Sequence, residues 1–154
     1  MAIAATLQHY LDDQGVAYDL VTHKKTHCAS RSAQAGHVPG DCLAKAVVVK
    51  RRKGYLLAVL PSSRKVGLDH LGSWLQQPVG LATEDELAEL FPDCDVGAVP
   101  AIAPAYGLKA VVDAGLDDSD DIWFEAGDHM TLVHMKGEDF RSLMGKMPHE
   151  PIAM

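Results

Sequence analysis

Apolar residues along the chain recur with two periods, and the switches between them mark out the elements. Ile3, Leu7, Tyr10 and Leu11 share one face at helical spacing, with Gly15 as a stop, so residues 3–14 are expected to form an amphipathic helix. A short strand is expected at 17–21 and a short helix at 30–35, ended by Gly36 ahead of the Pro39-Gly40 turn. Two apolar runs at 44–50 and 55–60 meet at the basic turn Lys50-Arg51-Arg52-Lys53-Gly54 and read as a hairpin. A helix over 69–76 is expected to pack Leu71, Trp74 and Leu75. Thr83-Glu84-Asp85-Glu86 has the form of a capping box, with Leu87 and Leu90 following at helical spacing before Pro92. Small residues and proline fill 91–107. Strands fit 108–113, 121–125 and 130–135, and a last helix fits 138–144. With no internal repeat or linker, the pattern predicts one α+β domain over residues 1–154, built on a mixed sheet.

Composition narrows the class. The hydrophobic fraction of 47% suits a globular core, and no apolar run approaches the ~20 residues of a membrane span. The first seven residues lack the basic flank of a signal peptide. Cys28, Cys42 and Cys94 are an odd number with no close pairing, so reduced thiols and a cytoplasmic location are expected. The net charge of −7 is unevenly spread: residues 1–70 carry 10 Lys/Arg against 5 Asp/Glu, and residues 71–154 carry 4 against 16. The acidic half argues against a protein that coats nucleic acid over a wide surface, and no DNA partner is expected. The basic part, Lys45, Lys50–Lys53, Arg64 and Lys65, suits either a few phosphates or a solvated charged turn.

Three segments are candidates for chemistry. Lys45 interrupts Leu43-Ala44-Lys45-Ala46-Val47-Val48-Val49 and, with a period of two, shares a face with Val47 and Val49. An ammonium there either snorkels or pairs with a carboxylate, or it lines a cleft and meets a charged ligand. The second segment is the 91–107 loop, whose length is uncommon in a compact domain unless it has a function. Gly97 in it permits a positive φ or a close backbone approach, so that N–H groups can face an anion or a carbonyl oxygen. The third is Phe124-Glu125-Ala126-Gly127-Asp128-His129-Met130-Thr131, a tight turn between two strands. Asp128 suits a turn former, and His129 suits an exposed loop residue, a general base or a hydrogen-bond partner for a substrate. His23, His27, Cys28, His37 and Cys42 lack standard zinc spacing, Ser62-Ser63 lacks a nucleophile elbow, and no base is paired with Cys42. Neither a Walker A nor a G-x-G-x-x-G motif occurs, so no metal or cofactor is expected.

Taken in order, Ala44-Lys45-Ala46-Val47-Val48-Val49, Gly97-Ala98-Val99-Pro100, Val111-Val112-Asp113 and Phe124-Glu125-Ala126-Gly127-Asp128-His129 resemble the YbaK family, related to the editing domain of bacterial prolyl-tRNA synthetases. The resemblance spans about residues 5–145 and rests on the order of the motifs. It implies a mixed, partly barrel-like sheet flanked by helices, and a free-standing deacylase that cleaves the ester of mischarged aminoacyl-tRNA. It implies Lys45 as the residue most closely tied to activity, holding a terminal phosphate or carrying charge beside the ester. By the same resemblance the loop from Gly97 positions the substrate carbonyl, with Ala98, Val99, Pro100 and Ala101 around the substrate, and a hydroxyl of the terminal adenosine helps to activate water. His129 matches a pocket position of some members, which sets it with Lys45 and Gly97 among the expected catalytic residues and Gly127 and Asp128 beside it among the expected substrate contacts. The family pattern runs glycine, three variable residues, proline; here the fifth position is Ala101 and the proline is Pro100.

The alanines of the loop favour a small amino acid such as alanine, serine or cysteine. The rival expectations are a binding module for the aminoacyl-tRNA acceptor end without turnover, and a partner of a synthetase or elongation factor docking through the acidic half.

Overall fold

The computed structural model describes residues 3–24 and 38–154. The expected helix at 30–35 and the side chains of His27, Cys28 and His37 lie outside the described residues. Helix α1 (Ala5–Gln14) buries Leu7 and Leu11 and ends at Gly15, whose φ of 67° is left-handed. Strand β1 (Asp19–Thr22) follows. β2 (Ala44–Lys50) and β3 (Tyr55–Pro61) form the expected antiparallel hairpin, with Lys50 opposite Tyr55. Helix α2 (Leu68–Leu75) buries Leu71, but Trp74 is 37% exposed. The helix covers the sheet along the line of Leu68, Leu71 and Leu75, and Trp74 falls at its rim.

A two-residue strand β4 (Gly80–Leu81) leads into α3 (Glu84–Leu90). Its capping box is formed: Thr83 Oγ1 accepts from the Glu86 N–H at 3.2 Å, and Glu86 Oε1 accepts from the Thr83 N–H at 2.9 Å. The expected long loop contains a 3₁₀ turn at Ala103–Tyr106, closed by left-handed Gly107. β5 (Lys109–Asp113), β6 (Asp121–Glu125), β7 (Thr131–Lys136), α4 (Gly137–Leu143) and β8 (His149–Glu150) complete the described strands and α-helices.

The strands form two sheets. One is five-stranded in the order β4-β2-β3-β5-β8, with antiparallel pairs at β4-β2 and β2-β3 and parallel pairs at β3-β5 and β5-β8. The other is antiparallel, in the order β1-β7-β6. A single parallel bridge between Leu43 and Trp123 joins them without closing a barrel. The architecture is therefore mixed α+β, barrel-like only at that seam. Central β3 is buried on both faces, as its unbroken apolar run requires.

The principal core packs α1, Phe91, Val99 and Ala101–Ala103 against Ala44 and Val48 of β2 and Ile122 and Phe124 of β6. A second core lies under α2, against Val49, Leu56, Ala58 and Val111. Val38, Leu43 and Leu132 form a third, at the seam. Buried Asp113 ties the C-terminal segment to the sheet: Oδ1 accepts from the N–H groups of Ile152 and Ala153, and Oδ2 accepts from that of Gly115.

Candidate active site

β2 borders β6 at Leu43 and β4 from Val48 onward, where the Ala82 N–H donates to the Val48 carbonyl. Between these attachments no described strand pairs with its edge, and a cleft of about 200 Å³ lies there. Ala46 and Val47 of β2, Leu81, Leu87, Gly97 and Val99 line it. The walls are apolar, with backbone of the Gly97 loop on one side, a form suited to a small ligand held by a few polar groups.

Gly97 has a φ of 84°, in the region where a side chain is strained, and this turns the chain into the cleft. Val99 reaches the cleft beside it, whereas Ala98 and Ala101 are 0% exposed and pack behind the wall. Pro100 is buried between them. The small side chains of this loop thus let it sit flush on the core, and Gly97 and Val99 present themselves to the cleft.

The turn after β6 holds the loop in place. The Asp95 N–H donates to the Gly127 carbonyl at 2.7 Å, and His129 Nε2 bonds to the Val96 carbonyl. A carbonyl only accepts, so Nε2 is the donor in this bond. Nδ1 is buried and has no hydrogen-bond partner among the described residues. His129 is 4% exposed and has a φ of 59°, a left-handed conformation uncommon for a non-glycine residue. Gly127, at φ 123°, lies so close to Ala4 and Cys94 that a Cβ would stand 3.2 Å from one and 3.3 Å from the other. Asp128 acts within the turn: Oδ1 accepts from the N–H groups of Met130 and Thr131, and Oδ2 from the Thr131 hydroxyl. The structure therefore brings Gly97, Gly127, Asp128 and His129 together as one clamped unit.

Lys45 lies on the adjoining strand, half-buried. Leu43 and Trp123 are parallel partners, so two residues further along each strand Lys45 and Glu125 come to the same face of the seam. Ser62 faces this region from β3's end: its N–H donates to the Leu43 carbonyl at 2.8 Å and its hydroxyl to the Gly40 carbonyl at 3.0 Å. Lys45, Ser62 and Glu125 are each engaged with a neighbouring group. Glu125 is 2% exposed, and a carboxylate so buried requires compensation by charge or hydrogen bonds. The sequence pattern alone does not single out Glu125 as a candidate site residue. The available signal was the alternation Ile122-Trp123-Phe124-Glu125, which sets the carboxylate on the face opposite the main core.

Other candidates are placed outside the cleft. Cys94 hydrogen-bonds with Tyr106 and Asp93, and burial pushes its thiol up to about 12, so it is not a nucleophile at neutral pH. Burial also raises the Asp93 carboxyl, but the Thr6 backbone and side chain together with the Tyr106 hydroxyl outweigh it, leaving Asp93 below its ordinary value. Its Oδ2 accepts from the Thr6 N–H in the first turn of α1, which lacks a side-chain cap of its own. The basic residues divide: Arg51–Lys53 lie at the hairpin turn, and Arg64 and Lys65 lie past the opposite end of β3. Among the described residues no group of three or more His, Cys, Asp or Glu side chains could hold a metal ion, and no helix is long and apolar enough to cross a membrane.

The family model for the aminoacyl-tRNA editing domain matches residues 23–143. Among solved structures, a candidate trans-editing enzyme for prolyl tRNA synthetase superimposes with a TM-score of 0.83 at 22% identity, over 98% of this chain and 96% of that one. The hypothetical protein APE2540 gives 0.81 at 20% identity, over 97% and 99%. A candidate signal transduction protein from Marinobacter aquaeolei VT8 gives 0.78 at 18% identity, over 99% of this chain and 31% of the other. At these identities the structural likeness is one of fold. No curated protein matches the chain.

Proposed function

The chain belongs to the aminoacyl-tRNA editing domain family, and from this premise we propose that it is a deacylase acting on the ester that joins a small amino acid to the 3′ end of tRNA. The observation that carries the reading is the cleft beside β2, with Val99 and the left-handed Gly97 on one wall and the Lys45 strand on the other. In the reaction, water adds to the ester carbonyl carbon and the carbonyl oxygen becomes an oxyanion. Collapse of that intermediate expels the ribose oxygen, which takes up a proton, leaving a free amino acid and an uncharged tRNA.

Such a reaction needs a positioned water and support for the oxyanion more than it needs a side-chain nucleophile. The backbone around Gly97 is the proposed oxyanion donor, a type of contact worth ~10²–10³-fold in rate per donor. Lys45 supplies positive charge beside the ester or its phosphate, and Glu125, on the same face, orients it. His129 contributes from the clamped turn by fixing the carbonyl just before Gly97. Val99 and the about 200 Å³ of the cleft favour a small side chain.

The deciding experiment is deacylation of a panel of tRNAs, each charged with a different amino acid. Multiple turnover on small amino acids supports the enzyme. Stoichiometric protection of the ester instead of its loss would make the chain an acceptor-end binder. No effect on any ester would leave it a partner of the translation machinery.

A further inference from the structure

At the far end of β2 from the seam, four cations converge, with no carboxylate among the described residues that line the place. Arg51, Arg52 and Lys53 come from the hairpin turn, and Lys109 comes from β5, where it is in register with Leu56. With Gln77 they line a hollow of about 350 Å³. The turn is built: the Arg51 N–H donates to the Gly54 carbonyl at 3.0 Å, and the Arg52 N–H donates to Gln77 Oε1 at 2.8 Å, tying the turn to the end of α2. The neighbouring Lys50 takes no part, since it pairs with Glu86 at 3.0 Å. That carboxylate is already occupied by Lys50, the Tyr55 hydroxyl and the Thr83 N–H, so it does not neutralise the hollow.

Arg51 adds a second observation. Its Nε is shut off from solvent and has no hydrogen-bond partner among the described residues. An N–H without accessible surface does not itself meet an external ligand, so Arg51 offers the hollow its charge and the terminal N–H groups of its guanidinium. In a chain of net charge −7, a concentration of four cations around one hollow suits an anion with several oxygens. Val47 lines the cleft and Arg51 stands four residues further along the chain, just past the end of β2, a span of about 13 Å at the rise of a strand. That separation is too long for the group bound in the cleft itself, and it suits the backbone that trails from it.

We propose that the mouth of the β2–β3 hairpin is a phosphate track that holds the RNA backbone behind the 3′ end while the cleft holds the terminal ester. The inference rests on the deacylase reading of the cleft and assigns the track to Arg51, Arg52, Lys53 and Lys109. Phosphates there are bound as charge, without base reading, so the track contributes affinity common to many tRNAs.

The test uses the full chain and its variants R51Q, R52Q, K53Q and K109Q, singly and combined, with circular dichroism to show that each is folded. Binding of uncharged tRNA is measured across a salt series, and hydrolysis is measured on aminoacyl-tRNA and on an aminoacyl-adenosine ester that has no phosphate. Each single variant is expected to flatten the slope of log K against log salt by ~0.7–0.9, and the combined variant by about 3. The KM for aminoacyl-tRNA rises, while hydrolysis of the phosphate-free ester is unaltered. A slope that ignores all four substitutions overturns the track, and so does an equal loss on both esters. Saturation of the hollow by inorganic phosphate with no competition from tRNA also overturns it, in favour of a small-anion site. If the wild type hydrolyses neither ester yet binds tRNA with a slope set by these residues, the deacylase reading fails and the track stands. If hydrolysis is intact and the slope does not respond, the reverse holds.

Discussion

His129 Nε2 donates to the carbonyl of Val96, the residue before Gly97, and so ties the turn after β6 to the loop that borders the cleft. The bond is local in space and distant in sequence, and the role proposed for the buried imidazole is to position that loop. H129A is expected to leave the Val96 carbonyl without its donor, at a cost of ~1–3 kcal/mol in stability. Amide hydrogen exchange should quicken over residues 96–99, and deacylation should fall. Unchanged exchange in that segment, with activity lost, would instead make His129 a group that acts on the substrate directly.

Lys45 is expected to matter more to turnover than to folding. K45A should remain folded while single-turnover deacylation falls by ~10²-fold or more, the size associated with loss of a charge-stabilising group. K45R should not restore the wild-type rate, because a planar guanidinium does not replace a compact ammonium. Thermal melts and rates on the same preparations check both statements. A K45A protein that unfolds, or one as fast as wild type, would make the lysine structural.

Val99 and Ala101 should respond differently to enlargement. Val99 borders the cleft, so V99L is expected to exclude larger amino acids before smaller ones. Ala101 is enclosed in the core, so A101V should cost ~1–3 kcal/mol in stability and affect all substrates alike. Rates across the charged-tRNA panel, with denaturation midpoints, separate the two. Selective exclusion by A101V would show that the loop wall moves to admit its neighbour.

Glu86 gives a pH prediction remote from the cleft. The Thr83 backbone N–H, the Tyr55 hydroxyl and the Lys50 ammonium hold its carboxyl down to about 2, against 4.5 for a free glutamate. Its contribution is therefore complete above about pH 4.5 and is lost as the pH falls toward 2. The difference in denaturant midpoint between wild type and E86Q should be steady near neutrality and shrink through that window. A difference independent of pH would mean that shape, and not charge, accounts for the residue.

Local chemistry made much of this protein legible from its residues. The hairpin around Lys50–Gly54, the capping box at Thr83 and Glu86, the strand at Asp121–Glu125 and the turn at Gly127 and Asp128 depend on neighbours in the chain, and they form as the residue pattern requires. Strands β4 and β8 did not show, because two residues carry no period. Trp74 was misplaced because an apolar residue at the rim of a helix face has the same spacing signal as one at its centre.

What only the tertiary structure decided is how separate segments meet. The Leu43–Trp123 bridge aligns two strands far apart in the chain, and from it follow the shared face of Lys45 and Glu125 and the gap in the edge of β2 that becomes the cleft. Likewise, nothing in the run of small residues from Gly97 to Ala101 distinguishes those that face the cleft from those behind it. Packing against α1 and β6 makes that choice. Periodicity assigns a residue to a face of its own strand or helix, but what that face meets depends on long-range register and the close packing of the whole core.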